Sequence, residues 1–285
     1  MAVDREKEAA LIHRGLNRVE FFDLTTGEAD GLQDILDSMA GEGRRRFSFH
    51  APVIRPDYFP HSGVTCFFLN EDEAKRQLSF RLLDHTMEAA RRWGAEYVVT
   101  HLTFGPTDSK DQATALRLAG DACRRMAGMS RDYGIPLDLE FAAYSNAFNR
   151  ADLFAEAVAP HPELGVCIDV GHAFLGAIRR QRDYLEDIAA LAPRTRSLHL
   201  WNSLGEEHTK RHHHTPLHPS QKPDEGWIDI EKTMALVLHE NPRVNIIYEY
   251  PVDAVTTEIQ EGYDWIADMV SRPLLRKEGP GEDFS

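Results

Sequence analysis

Cysteine is scarce in this 285-residue chain: Cys66, Cys123 and Cys167 stand far apart, with no Cys-x-x-Cys pair. An odd, sparse count argues against a disulfide framework and fits reduced thiols in the cytoplasm. Long apolar runs are missing as well. No stretch approaches the roughly 20 residues that span a bilayer, and the charged start Met-Ala-Val-Asp-Arg-Glu-Lys-Glu lacks the apolar core of a signal peptide. Positive charge is in deficit, with 32 Lys and Arg against 46 Asp and Glu for a net charge of −14. That balance disfavours nucleic acid as a partner. It leaves room for a local cation site, because bound metal ions add positive charge inside an acidic pocket. No glycine-rich phosphate fingerprint follows the early strands, which removes the main support for an open dinucleotide-binding sheet.

Hydrophobic residues make up 42% of the chain, enough for a sizeable core. They fall into short β-rich runs alternating with longer amphipathic patterns. The runs are Arg18–Phe22, Phe47–His50, Tyr97–His101, Leu137–Glu140, Gly165–Asp169, Ser197–Leu200 and Val244–Glu249. Between them, Leu78, Leu82, Leu83, Met87, Ala90 and Trp93 mark one face of a helix ending at Gly94. A second helix pattern spans Asp111–Tyr133 and stops at Gly134, with Pro136 beyond. Others cover Asp30–Met39, Asp152–Val158, Tyr184–Leu191, Ile230–His239 and Thr257–Met269. The alternation predicts parallel strands joined by right-handed crossovers, and the fold class read from it is an α/β TIM-type barrel. Seven strands are visible rather than eight, and a helix pattern at Arg5–Gly15 stands where a first strand is expected. Either the barrel is seven-stranded or an N-terminal strand is missing or unrecognised. The expected organisation is one barrel domain over residues 1–271 and a polar tail over 272–285, with a long polar loop at Asn202–Gly226.

The strand ends carry the chemistry. His50, His101, Glu140, Asp169, His199 and Glu249 finish six consecutive strands or stand beside their ends, and His172 follows Asp169 by three residues. In a barrel all parallel strands end at one rim, so residues scattered in sequence meet in space. Carboxylates and imidazoles this close desolvate and repel one another unless a cation lies between them. Taken singly each has a plainer reading: a hydrogen-bonded core histidine, a turn at Asp169–His172, a salt-bridge partner at Glu140 or Glu249. The joint pattern points to a divalent metal, and mixed His/carboxylate ligation suits Zn, Mn, Fe or Co better than Ca or Mg. The segment Glu206–His218 adds His208, His212, His213, His214 and His218. It reads either as a solvated loop or as a source of further ligands, His212 and His214 above all.

Several segments together resemble the xylose isomerase-like TIM barrel superfamily. They are Phe49-His50-Ala51-Pro52, Thr100-His101, Leu139-Glu140, Cys167-Ile168-Asp169-Val170-Gly171-His172-Ala173-Phe174, Leu198-His199-Leu200 and Ile247-Tyr248-Glu249. The most specific piece is Asp169–Phe174, and the resemblance runs from about Val19 to Met269. That superfamily holds sugar isomerases and epimerases and also endonuclease IV, which acts on abasic DNA. The epimerase pattern implies a single metal on Glu140, Asp169, His199 and Glu249, with His172 touching substrate. The endonuclease pattern implies three zinc ions, adding His50, His101, His172, His212 and His214, with His212 standing where that family has Asp. Two stretches depart from the endonuclease: Phe141-Ala142-Ala143 replaces its Asn-Thr-Ala, and Trp201-Asn202-Ser203 replaces its Asn-Asp-Ser.

The resemblance implies first a metal-dependent isomerase or epimerase of a sugar or related polyol. One to three ions of Mn, Zn or Co polarise the substrate, and Glu140 and Glu249 pass a proton through an enediolate while His172 orients a substrate oxygen. Phe141, Tyr144, Trp201 and Asn202 are the expected substrate contacts, with ordinary packing as the alternative for the aromatic three. The second reading is a multinuclear zinc phosphoesterase, and the third a non-catalytic metal-binding barrel. Nucleic acid is disfavoured, a carbohydrate is the expected partner, no membrane is involved, and a homo-oligomer is left open.

Overall fold

A computed structural model describes residues 16–272, Tyr144 excepted. The helix pattern at Arg5–Gly15, Tyr144 and the chain beyond Arg272 therefore lie outside the described residues. Seven parallel strands form one sheet: β1 (Arg18–Phe21), β3 (Arg46–His50), β5 (Val98–His101), β6 (Leu137–Phe141), β7 (Leu164–Asp169), β8 (Thr195–Leu200) and β9 (Asn245–Tyr248), in that order. The sheet curls until β1 and β9 come close, which makes a nearly closed TIM-type barrel. A minor pair, β2 (Leu24–Thr25) with β4 (Ile54–Arg55), lies outside it. The helices are α1 (Thr26–Ala29), α2 (Leu32–Gly41), α3 (Glu73–Trp93), α4 (Gln112–Tyr133), α5 (Ala151–Val158), α6 (Val170–Arg179), α7 (Tyr184–Leu191), α8 (Glu206–His212), α9 (Ile230–Glu240) and α10 (Thr257–Ser271). Among the described residues none is long and apolar enough to cross a membrane.

Local sequence explains the boundaries. Asp72 caps α3 by accepting from the Ala74 N–H at 2.8 Å, and Asp111 caps α4 by accepting from the Thr114 N–H at 2.8 Å. Gly94 and Gly134 end these helices at φ 80° and 70°, a left-handed region that costs glycine little. Strand residues of one parity, such as Phe47, Phe49, Leu139, Val166 and Leu198, pack outward against the helices. The other parity faces the barrel interior. There Glu20 lies beside Ser48, His101 beside Glu140, and Asp169 beside His199 in the strand registers. Arg46 opens β3 at the opposite end and pairs with Glu96 at 2.9 Å, so the basic run before β3 sits away from the strand-end rim.

The long segment after β8 is not a plain loop. Residues Glu206–His212 form α8, Asn202 bridges Thr215, and Pro223–Glu225 make a 3-10 turn. Asn202 organises it. This fully buried amide accepts from the Ser203 and Ile228 N–H groups at 2.9 and 3.1 Å, and donates to Gln221 Oε1 at 2.8 Å.

Candidate metal centre

Glu140, near the end of β6, is the hub, with only 2% of its side chain exposed. His50 Nε2 lies 2.9 Å from Glu140 Oε2, and His101 Nδ1 and His172 Nδ1 each lie 3.5 Å from Oε1. His199 Nδ1 stands 3.7 Å from Glu140 Oε2 and 3.0 Å from Glu249 Oε2. Asp169 closes the ring 3.5 Å from His172 Nδ1. It also caps α6, accepting from the His172 N–H at 2.6 Å. Three groups of potential ligand atoms overlap: His50, His101 and Glu140; Glu140, Asp169 and His172; Asp169, His199 and Glu249. Within each group the atoms lie within 4.8 Å of one another.

Electrostatics reflects the crowding. Burial works to raise the Glu140 carboxyl, but the surrounding histidines outweigh it and hold it well below the usual range. Burial pushes Asp169 up to about 6, with Glu249 and Glu140 adding to the rise. His101 is driven by burial down to about 4. His172 goes the other way, to about 9, because Asp169 and Glu140 overcome its burial. Such opposed shifts come from burial and from opposite charges packed within a few ångströms of one another.

The donor chemistry fits a divalent cation. His199 Nδ1 and Nε2 and Glu249 Oε2 are buried without a hydrogen bond of acceptable angle, although carboxylates or imidazoles lie at ion-pair distance. His50 Nδ1 faces the Ala51 carbonyl at 3.1 Å and His214 Nδ1 faces the Glu249 carbonyl at 2.8 Å. For His214, donation from Nδ1 leaves the Nε2 lone pair available for a metal; at His50, Nε2 faces Glu140 Oε2 at 2.9 Å, where a cation would replace the proton between them. Glu20 is the residue that the sequence reading passed over. Its buried carboxylate accepts from Ser48 Oγ at 2.7 Å and lies 2.9 Å from His199 Nε2, on the side away from Glu249. Its signal was an acid inside a strand whose neighbours are apolar.

The structure thus brings together His50, His101, Glu140, Asp169, His172, His199 and Glu249, with His214 beside Glu249. It does not bring His212. That histidine is exposed in the last turn of α8, where its ring lies 4.7 Å from His208, so the expected trio of His172, His212 and His214 does not assemble. The substrate contacts expected at Phe141, Trp201 and Asn202 also need correction. Phe141 has the opposite strand parity to Glu140 and packs against Phe154 in the core. Trp201 is fully buried with its indole N–H on Asp169, and the Asn202 amide serves the loop. The cavity beside the cluster has a volume of about 1010 Å³ and runs on along the gap between β1 and β9. Near the cluster its walls are Phe22, Val64, Phe104, Ala142 and Tyr250.

Residues 13–269 match the xylose isomerase-like TIM barrel family, and the chain belongs to it. Similar solved structures include a D-tagatose 3-epimerase-like protein, with a TM-score of 0.65 and 16% identity over 92% of this chain and 91% of that one. The IOLI protein, solved with a bound zinc atom, aligns with a TM-score of 0.64 and 16% identity over 95% and 94% of the two chains. A xylose isomerase-like TIM barrel protein from Mycobacterium smegmatis, in complex with magnesium, gives 0.56 and 14% identity over 90% and 84%. At these identities the likeness is one of fold. Comparison with curated proteins gives no match.

Proposed function

We propose that this protein is a divalent-metal-dependent isomerase or epimerase that moves a proton on a small sugar or related polyol. It would work as one barrel domain in the cytoplasm, its buried thiols reduced. Glu249 carries the reading. Its Oε2 is buried 3.0 Å from His199 Nδ1, while about 40% of its side chain is exposed and lines the cavity. One carboxylate therefore touches both the ligand cluster and the space where substrate fits. A cation of Mn, Zn or Co on Glu140, Asp169, His199 and Glu249 would supply Lewis acidity to a substrate carbonyl and its neighbouring hydroxyl. Glu249 removes the acidified proton from the carbon between them. His172 also lines the cavity, so it can orient and hydrogen-bond the oxygen that gains charge. Glu140 would be the second carrier on the opposite face: the proton taken by Glu249 stays there, and Glu140 must first draw one from a neighbouring imidazole, His172 Nδ1 at 3.5 Å, before passing it to the carbon. Fold neighbours named as D-psicose 3-epimerase and L-ribulose 3-epimerase favour this chemistry. The test is incubation of metal-loaded protein with ketopentoses and ketohexoses in D₂O. Deuterium should enter next to the carbonyl as an epimer or isomer appears; a panel without exchange would sink the reading.

The overlap of three ligand groups on Glu140 and Asp169 favours a second reading, hydrolysis of a phosphoester by clustered ions. Metal-dependent cleavage of an abasic duplex or a simple phosphodiester, without sugar exchange, would select it. Stoichiometric metal binding with neither activity would select the non-catalytic barrel.

A further inference from the structure

The cluster leans on a side chain that is not itself a potential ligand. Trp201, just beyond β8, is completely buried. Its indole Nε1–H is shared between both oxygens of Asp169, at 2.9 Å to Oδ1 and 3.0 Å to Oδ2. One face of the ring stacks on His214, with centroids 3.9 Å apart and planes 8° from parallel. Gly171 approaches the indole so closely that a Cβ there would stand 2.1 Å from Trp201 Cε2. The ring therefore has no room to slide. Asp169 receives the indole N–H while the His172 N–H binds Oδ1 from the helix side.

A donor equidistant from two carboxylate oxygens lies on the median plane between them. A cation chelated by both oxygens would need lone pairs from each of them, and both already accept from the one indole N–H. A cation bound by one oxygen lies to one side and leaves the N–H in place. We infer that Trp201 is a positioning residue that confines Asp169 to one-oxygen ligation and so biases the centre against large cations. The inference rests on Asp169 being a metal ligand. Calcium takes about six to eight oxygens and readily uses both atoms of a carboxylate, whereas smaller ions accept fewer ligands. A fixed indole also avoids the entropy cost of ordering Asp169 at binding, since the carboxylate is already held.

The test is Trp201→Phe, which keeps an aromatic ring and removes the N–H. Affinities for Mn²⁺ and Ca²⁺ are measured by competition with a chelating dye, and folding is checked by thermal unfolding in chelator. Mn²⁺ binding should weaken roughly tenfold, in line with the loss of an outer-shell partner. Ca²⁺ binding should hold or strengthen, so the Mn²⁺/Ca²⁺ preference falls at least as far. A folded variant whose preference stays within about twofold of wild type overturns the inference, because loss of packing alone weakens both ions together. Asp169→Asn distinguishes the premise: if it binds Mn²⁺ as tightly as wild type, Asp169 is no ligand and the inference falls with it. Wild-type protein gives an independent readout should Trp201→Phe not fold. Of the four tryptophan indole N–H signals, one should be downfield, protected from exchange, and moved by Asp169→Asn. It should keep that position when Zn²⁺ binds; return to the ordinary indole range would show chelation displacing the N–H and refute the inference.

Discussion

Replacing Glu20 by Gln tests how the barrel interior holds His199. Glu20 is in contact with two partners, the Ser48 hydroxyl at 2.7 Å and His199 Nε2 at 2.9 Å, and neither it nor His199 is appreciably exposed. The amide keeps the shape and one acceptor but loses the charge. A hydrogen bond to a charged group contributes about 1.5–3 kcal/mol, and leaving a buried charge unpaired costs about 3–5 kcal/mol. Because Gln retains an acceptor, about 2 kcal/mol is expected, or roughly 4–8 °C in melting temperature for a chain of this size. His199 is raised well above its ordinary value by Cys167 and Glu20 despite burial, and Glu20 is lowered by His199 despite burial. In metal-free protein, the raised His199 stabilises fully below its unfolded value near 6.5 and that contribution is lost as pH rises through its folded value. The lowered Glu20 stabilises above its unfolded value near 4.5 and loses the effect as pH falls through its folded value. The difference between wild type and variant should therefore be greatest between about pH 4.5 and 6.5 and shrink at alkaline pH. Metal affinity should drop about 10–100-fold as His199 loses the carboxylate paired with it from behind. Denaturant melts within about 0.5 kcal/mol of wild type across that range, with unchanged metal affinity, would refute the argument.

Glu249→Gln and Glu140→Gln should each abolish proton exchange with substrate, while Glu249→Gln remains folded by circular dichroism; wild-type turnover by either contradicts the two-carboxylate mechanism. Gly171→Ala drives a methyl into the Trp201 indole and should cost about 1–3 kcal/mol in denaturant melts; a neutral substitution means that the indole is not held there. Asp108 follows β5, where burial raises it to about 6 against the Phe104 N–H that its carboxylate accepts. A raised acid stabilises below its unfolded value of 3.8 and loses that contribution as pH rises through about 6, so Asp108→Asn should stabilise at pH 7.5, by at most roughly 3 kcal/mol, and not at pH 4. Equal melting curves at both pH values would show that the burial is relieved by solvent.

The parts of the site carried by strand ends were legible in the sequence, because a parallel barrel converts strand order into one rim. Strand parity carries information of the same kind: if Glu140 faces inward, its neighbour Phe141 faces the helices, where it packs on Phe154. Glu20 was not legible as a partner of His199, because that contact crosses the barrel between strands far apart in sequence. Three helices escaped: α1 is a single turn, too short to show a stripe, and α6 and α8 escaped for separate reasons. In α6, Gly171 and Gly176 lie inside the helix, and Asp169–His172 reads as a turn. In α8 nothing is buried, so no stripe exists, and the segment read as a polar loop. That misreading also placed His212 near the rim, when the helix turns it outward beside His208.

The most direct measurement is the position of bound metal, from anomalous scattering of crystals grown with Mn²⁺ and, separately, Zn²⁺. A peak within about 2.0–2.3 Å of ligand atoms of Glu140, Asp169, His199 and Glu249 is the predicted result. A further peak at His50 and His101, sharing Glu140, would favour the multinuclear reading. Crystals in which ions settle only at the surface pair His208 and His212, leaving the strand ends bare at saturating metal, would contradict the account.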